Sequence, residues 1–209
     1  SFGYLYLAST KSFADVLRKN QKIQSELGAK TQFMASDQIK KSYPFYNMDD
    51  IVAGNHNKID EGYFDGSTMF EWWKKKAKES GVEYIDNEVC SLNLNKKKTH
   101  VDEIILKSGH KISCQKVINA AGPYAAKIAE MASIDLPVEP RKRYSFIFKA
   151  QNPLNQDLPL TIDPNGVHMR SDGSFYLAGC PPDPDPKVAF DDFSIDHEIW
   201  ESKVWPSIA

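Results

Sequence analysis

Little in this sequence favours a disulfide-built, metal-built or nucleic-acid-binding protein. Its 209 residues hold only three cysteines, Cys90, Cys114 and Cys180, an odd number too small for a disulfide framework. They read as reduced thiols of a cytosol-like compartment, and Cys90 and Cys114, in apolar strand-like contexts, are expected to be packing residues. No C-x-x-C spacing occurs, and the five histidines show no H-x-x-x-H, so no metal site is expected. Arginine is scarce, with four against 22 lysines, and the formal charge is -2, so the basic excess of a nucleic-acid binder is missing. Where arginine does occur (Arg18, Arg141, Arg143, Arg170), the geometry of its planar fork matters more than its charge. The lysine-rich balance suggests an AT-rich bacterial source. Apolar runs stay far below the ~18 residues of a membrane-spanning helix, and no secretory core opens the chain. Glycines never stand two apart, no Gly-Lys pair occurs and there is no G-x-S-x-G, so dinucleotide fingerprint, P-loop and nucleophile elbow are all absent.

What is present is an ordinary globular composition, 41% apolar and 26% charged. At about 150 residues per domain the length corresponds to one or two domains. Phe2–Ala8 alternates as a strand with Tyr4 and Tyr6 on one face. Ser12 is expected to cap a helix running to Leu27, with Phe13, Val16, Leu17, Ile23 and Leu27 as its apolar face. A short helix is expected over Ser36–Lys41, a strand over Ile51–Asn57, and a strong helix from Gly66 to Ser80, capped by Asp65 and ended by Gly81. A short strand at Val82–Ile85 and a meander (Glu88–Leu94, Val101–Leu106, Lys111–Cys114) follow. Val117–Gly122 reads as a buried strand end, with Pro123 opening a helix to Ala132. Arg143–Lys149 alternates, with Tyr144, Phe146 and Phe148 on one face. A hairpin turns at Asp172-Gly173, with His168 and Arg170 on one strand face and Tyr176 across from them.

Val117-Ile118-Asn119-Ala120-Ala121-Gly122-Pro123-Tyr124 is the most informative stretch. Its small residues suit close approach of backbone to a bulky ligand, and a following helix N-terminus would suit an anion. A tight packing turn between strand and helix is the other reading of the same residues.

Asn119-Ala120-Ala121-Gly122-Pro123-Tyr124-Ala125 resembles the A-A-G-x-W/Y segment of the flavin amine oxidoreductases related to D-amino acid oxidase, sarcosine oxidase and dimethylglycine dehydrogenase. Gly62-Tyr63-Phe64-Asp65, Gly81-Val82 and Glu88-Val89 agree in the same order. Leu136–Tyr144, Asp196-His197 and Lys203–Pro206 are similar to the FAD-dependent oxidoreductase domain-containing branch, one member of which is linked to complex I assembly. The resemblance is collinear over most of the chain. It lacks the family's N-terminal dinucleotide fingerprint and its C-terminal segment, and the chain starts at Ser1, so an interior fragment is expected.

The resemblance implies an α/β (α+β) fold. Residues 65–135 would form part of an FAD-binding Rossmann-like domain with a β-meander. That part interrupts an antiparallel-sheet substrate domain made of residues 1–64 and 136–209. FAD would be the cofactor of the full-length protein, with Ala120, Ala121, Gly122 and Val89 near it, and the fragment alone would bind it poorly. Arg141, Arg143, Tyr144 and Arg170 are the substrate-side candidates, the arginines for a carboxylate. The implied reaction is hydride transfer from the carbon beside nitrogen in a small amine or amino acid, with no catalytic residue assigned. A non-catalytic scaffold or assembly factor retaining the fold is the alternative. Self-association through exposed interdomain surface and a cytoplasmic location are further expectations.

Overall fold

The computed structural model describes residues 3–209; Phe2, read above as opening the first strand, lies outside the described residues. Along the chain run β1 (Tyr4–Ala8), α1 (Lys11–Glu26), β2 (Gln32–Ala35), α2 (Ser36–Ser42), β3 (Ala53–Asn57) and α3 (Gly66–Glu79). Next come β4 (Val89–Leu94), β5 (Val101–Leu106), β6 (Lys111–Ser113), a 3-10 turn (Gly122–Tyr124) and α4 (Ala125–Glu130). The remainder is β7 (Tyr144–Phe148), β8 (Leu160–Ile162), β9 (His168–Asp172), β10 (Phe175–Cys180), a π-type turn (Trp200–Val204) and α5 (Trp205–Ile208). Two units follow from the contacts: the described part of Ser1–Phe64 with Arg143–Pro184 and Ser194–Ala209, and Asp65–Lys142 with Asp185–Phe193.

The first unit is built on a seven-stranded sheet in the order β2-β3-β1-β8-β9-β10-β7. It is not wholly antiparallel as expected, because β1 and β8 pair in parallel through Tyr4–Leu160 to Tyr6–Ile162. Side chains alternate across the sheet. Leu5, Leu7, Ala178 and Cys180 point to one face, where two clusters form. In the first, Leu5 and Leu7 pack with Ile39 of α2, Tyr43 and Ile51. In the second, Val167, Ala178 and Cys180 pack with Val204, and Phe146, Phe148 and Trp200 lie against them. Each fully buried aliphatic side chain here contributes about 1.5–3 kcal/mol. Burial also raises the Cys180 thiol pKa, so this cysteine is an inert packing residue.

Three local expectations are corrected in this unit. The cap of α1 is Thr10, whose Oγ1 accepts from the Phe13 N–H at 3.2 Å, rather than Ser12. The buried face of α1 is Ala14 and Leu17, set against the small residues Ala8 and Ala53, while Phe13, Val16, Ile23 and Leu27 are exposed. Of the expected stripe only Leu17 is turned inward, with Phe33 of β2 packed against the same cluster. Tyr176 is not on the His168–Arg170 face. It pairs with Ser171, while Leu177 pairs with Arg170, so its ring lies on the opposite side, where its hydroxyl accepts from the Leu154 N–H at 2.9 Å.

The turn between β8 and β9 carries a pH-dependent prediction. Asp163 accepts from the Asn165 N–H through Oδ1 at 3.0 Å. Burial raises its carboxyl pKa, and nearby Asp50 adds to the rise. A carboxyl whose pKa is raised on folding favours the folded state below its unfolded pKa, and this contribution is lost as pH rises through the folded value. Asp163→Asn, which keeps an acceptor, is therefore expected to raise the urea midpoint at pH 7 and to leave it unchanged at pH 3. Equal shifts at both pH values would contradict this account.

The second unit holds the meander β4-β5-β6, α3 and α4. Asp65 caps α3, accepting from Thr68 Oγ1 at 2.7 Å and from the Thr68 N–H at 3.1 Å, bonds that lower its pKa. The expected strand at Val82–Ile85 does not form, and Val82, Tyr84 and Ile85 are exposed. Val117–Gly122 is likewise not a buried strand end: it has no strand pairing, and Ile118 is 91% exposed. A strand exists through its neighbour's hydrogen bonds, and among the described residues no strand lies beside either segment. Cys90, expected as a packing residue, is exposed because the β4–β5 register shifts between Val89 and Ser91 and turns it outward.

Candidate functional site

The Ala120–Gly122 turn is open rather than sealed in a core. Asn119 staples it: its Nδ2 donates to the Ala125 carbonyl at 2.8 Å, and its Oδ1 accepts from the Ala121 N–H at 3.3 Å. Gly122 has φ +55, with no atom within 4 Å of where a Cβ would stand. Only methyl groups screen the backbone here, which fits close approach by a bulky ligand. The helix that follows starts as a 3-10 turn and continues for only six α-helical residues, too short to supply the anion-attracting N-terminus expected of it. Val89 opens β4, the edge strand of the meander. Its backbone is paired to Leu106 on one side, and the other side of the strand has no partner strand among the described residues. Arg141 belongs to this second unit. Its guanidinium donates to Glu139 Oε2 at 2.8 Å and to the Asp185 carbonyl, a local ion-paired arrangement.

The other candidates lie in the first unit. Arg170 stands on the sheet face opposite the Leu5–Cys180 core, with His168 beside it on β9 and Tyr4 and Tyr6 on β1. Its Nη1 donates to Asp172 Oδ1 at 2.8 Å and to the Ser171 carbonyl at 3.0 Å, and the Tyr63 ring lies 3.8 Å from the guanidinium carbon. The guanidinium is therefore held flat, with its charge partly balanced. Tyr144 pairs with Cys180 and shares the face of Phe146 and Phe148, so it does not meet Arg170. Arg143 is exposed and immediately precedes β7. Sequence reasoning missed Glu61 and Asn55 on the Tyr4–Tyr6 side. Neither sits in a local motif: the pairing of β3 with β1 sets Asn55 beside Tyr6, and Glu61 comes there by accepting from the Tyr4 N–H.

Comparison with known proteins defines the class. Residues 2–204 match the family described as DAO: FAD dependent oxidoreductase. The chain belongs to this family. Among its relatives is FAD-dependent oxidoreductase domain-containing protein 1 of Xenopus laevis, 31% identical, the alignment covering 99% of this chain and 47% of the relative. The Mus musculus protein of the same name is 31% identical over 99% of this chain and 48% of its own length. The chain thus spans about half the length of the curated relatives it matches. Those named relatives are animal proteins and give no support to a bacterial source. The fold is shared with L-proline dehydrogenase from P. horikoshii, with a TM-score of 0.81 and 21% identity, covering 96% of this chain and 54% of that one. It is also shared with iminodiacetate oxidase from Chelativorans sp. BNC1, with a TM-score of 0.69 and 21% identity, covering 94% and 52%. No helix among the described residues is long and apolar enough to cross a membrane, and no group of three or more potential metal ligands occurs among them.

Proposed function

We propose that the whole protein is an FAD-dependent oxidoreductase acting on the carbon–nitrogen bond of a small amine or amino acid. The observation that carries this reading is the open Ala120–Gly122 turn, stapled by Asn119 and screened only by methyl groups, in a chain of the FAD-dependent family. Ala120, Ala121 and Gly122 would let the cofactor approach the backbone, and Val89 would present edge backbone groups to it. Bound flavin supplies the hydride acceptor, and the protein supplies position and exclusion of water. Arg170 and Arg143, in the unit with the open sheet face, are the guanidinium candidates for a substrate carboxylate. Arg141, ion-paired with Glu139 much as Arg170 is with Asp172, is a third such candidate, and Tyr144, on the other face, is less suited to that role.

The exposed apolar side chains of the second unit support completion of the fold by the rest of the protein. Phe70, Trp72, Trp73, Val82, Tyr84, Ile85 and Ile118 are all exposed there. A bare surface of this kind needs a cover. In the 209-residue chain alone it would favour self-association and leave FAD affinity low.

One feature favours the scaffold reading instead: Arg170 is already paired with Asp172 and covered by Tyr63. An absorption spectrum of the full-length protein separates the two. The enzyme reading expects a yellow protein that bleaches when an N-methyl amine or amino acid is added without oxygen. A colourless protein that takes up no FAD on dialysis would overturn it and leave the scaffold.

A further inference from the structure

The segment 185–193 belongs to the second unit, although the residues just before and just after it belong to the first. It forms no helix or strand of its own. Contacts with residues distant in sequence hold it in place. The Val188 N–H donates to the Pro140 carbonyl at 3.1 Å, Lys142 Nζ donates to Asp192 Oδ1 at 2.6 Å, and Arg141 donates to the Asp185 carbonyl. Phe190 lies between these anchors. Its ring stacks on Tyr124, with centroids 4.7 Å apart and planes 23° apart. Lys127 Nζ lies 4.2 Å from the Phe190 centroid and 5.4 Å from the Tyr124 centroid, so one ammonium serves both rings. The Tyr124 hydroxyl also donates to the Phe190 carbonyl at 3.4 Å.

Tyr124 is where this clasp meets the Ala120–Gly122 turn. Its N–H donates to the Ala121 carbonyl at 3.0 Å. The next residue, Ala125, donates its N–H to the Gly122 carbonyl and accepts from Asn119 Nδ2 at 2.8 Å. The shape of the turn is therefore fixed only as well as Tyr124 and Ala125 are fixed. Helix α4 cannot fix them by itself: it has six residues, against the roughly 12–15 below which a helix is marginal in water. A contact from outside the helix is needed, and Phe190 supplies it from 66 residues further along the chain.

We propose that Phe190, clasped by Tyr124 and Lys127, is a positioning residue for the cofactor, holding the Ala120–Gly122 turn in its open shape before FAD arrives. The inference rests on the FAD reading of that turn. A turn already ordered spares the ligand the cost of ordering it. Phe190 acts through Tyr124, and an aromatic pair with an exposed cation–π contact is together worth about tenfold in an equilibrium constant.

The test is titration of the full-length apoprotein with FAD, followed by flavin fluorescence quenching. Phe190→Ala is expected to weaken affinity about tenfold, Lys127→Met about threefold, and Phe190→Tyr, which restores the ring, should bind as wild type does. Tyr124→Leu should cost about as much as Phe190→Ala, and the double variant no more than either, because the two rings act as one unit. Wild-type affinity in Phe190→Ala, no recovery in Phe190→Tyr, or additive losses in the double variant would each overturn the proposal. Should Phe190→Ala fail to fold, Lys127→Met decides, and unchanged affinity there overturns it. Equal, tight FAD binding by wild type and Phe190→Ala would remove the clasp and leave the flavin reading standing. A wild-type apoprotein that takes up no FAD would overturn both.

Discussion

Replacing Ala120 with glutamate in the whole protein will lower FAD affinity about 100-fold or more and leave the far-ultraviolet circular dichroism unchanged. Ala120 is exposed, so a longer side chain there displaces nothing from a core. The shape of the turn comes from Asn119, through its bonds to Ala125 and Ala121, and those bonds do not involve the Ala120 side chain. The substitution therefore tests the ligand side of the turn without disturbing its structural side. If cofactor phosphate or ribityl oxygens approach this backbone, a carboxylate in their path adds both bulk and like charge. Such juxtaposition costs several kcal/mol, and each 1.4 kcal/mol is a factor of ten. Ala120→Ser, small and neutral, serves as the control and should retain the flavin. Titration of the apoprotein followed by flavin fluorescence quenching reads both. Equal affinity in Ala120→Glu and wild type would remove Ala120 from the cofactor site.

Gly179→Val is expected to abolish cooperative folding of the first unit, or to destabilise it by about 3 kcal/mol or more. Gly179 lies in β10, between β9 and β7, where it pairs with His168 on one side and Ser145 on the other. A Cβ added there would stand 2.2 Å from the Tyr144 carbonyl oxygen and 3.1 Å from His168 Nε2. The carbonyl cannot move aside, because Tyr144 is itself paired with Cys180 in the same ladder. Relief requires parting β7 from β10, which exposes the Phe146 and Phe148 contacts with Trp200, at ring distances of 5.3 and 5.2 Å. Tryptophan fluorescence during urea unfolding should show the loss. Gly173→Ala makes the contrast. Its Cβ would meet nothing within 4 Å, and the cost there comes only from φ +62, about 1 kcal/mol. Comparable losses at the two positions would show that backbone strain, not the close approach of strands, sets the effect.

What could be read from the sequence was whatever a few neighbouring residues settle among themselves. The Asp65 cap and Gly81 stop bracket α3, alternation marks β1 and β7, and Gly173 turns the β9–β10 hairpin. Family membership was legible for the same reason, since Asn119–Ala125 and Leu136–Tyr144 are contiguous strings. Tertiary structure decided what depends on residues far apart in the chain. The strands β2 and β8, of four and three residues, carry too little alternation to announce themselves and exist because β3 and β1 offer them partners. Pairing likewise decided which face each side chain took, separating Tyr176 and Tyr144 from Arg170. The α1 face turned inward carries Ala14 beside Leu17, against Ala8 and Ala53, and leaves the rest of the apolar stripe exposed. Val82–Ile85 and Ile118 show the reverse case, strand-like sequence left unpaired because hydrogen bonds need a second strand. The buried Asn55 amide, whose Oδ1 has no hydrogen-bond partner among the described residues, sits where α1, β1 and β3 meet: local sequence supplies the amide, but only the packing of distant segments buries it and withholds its partner.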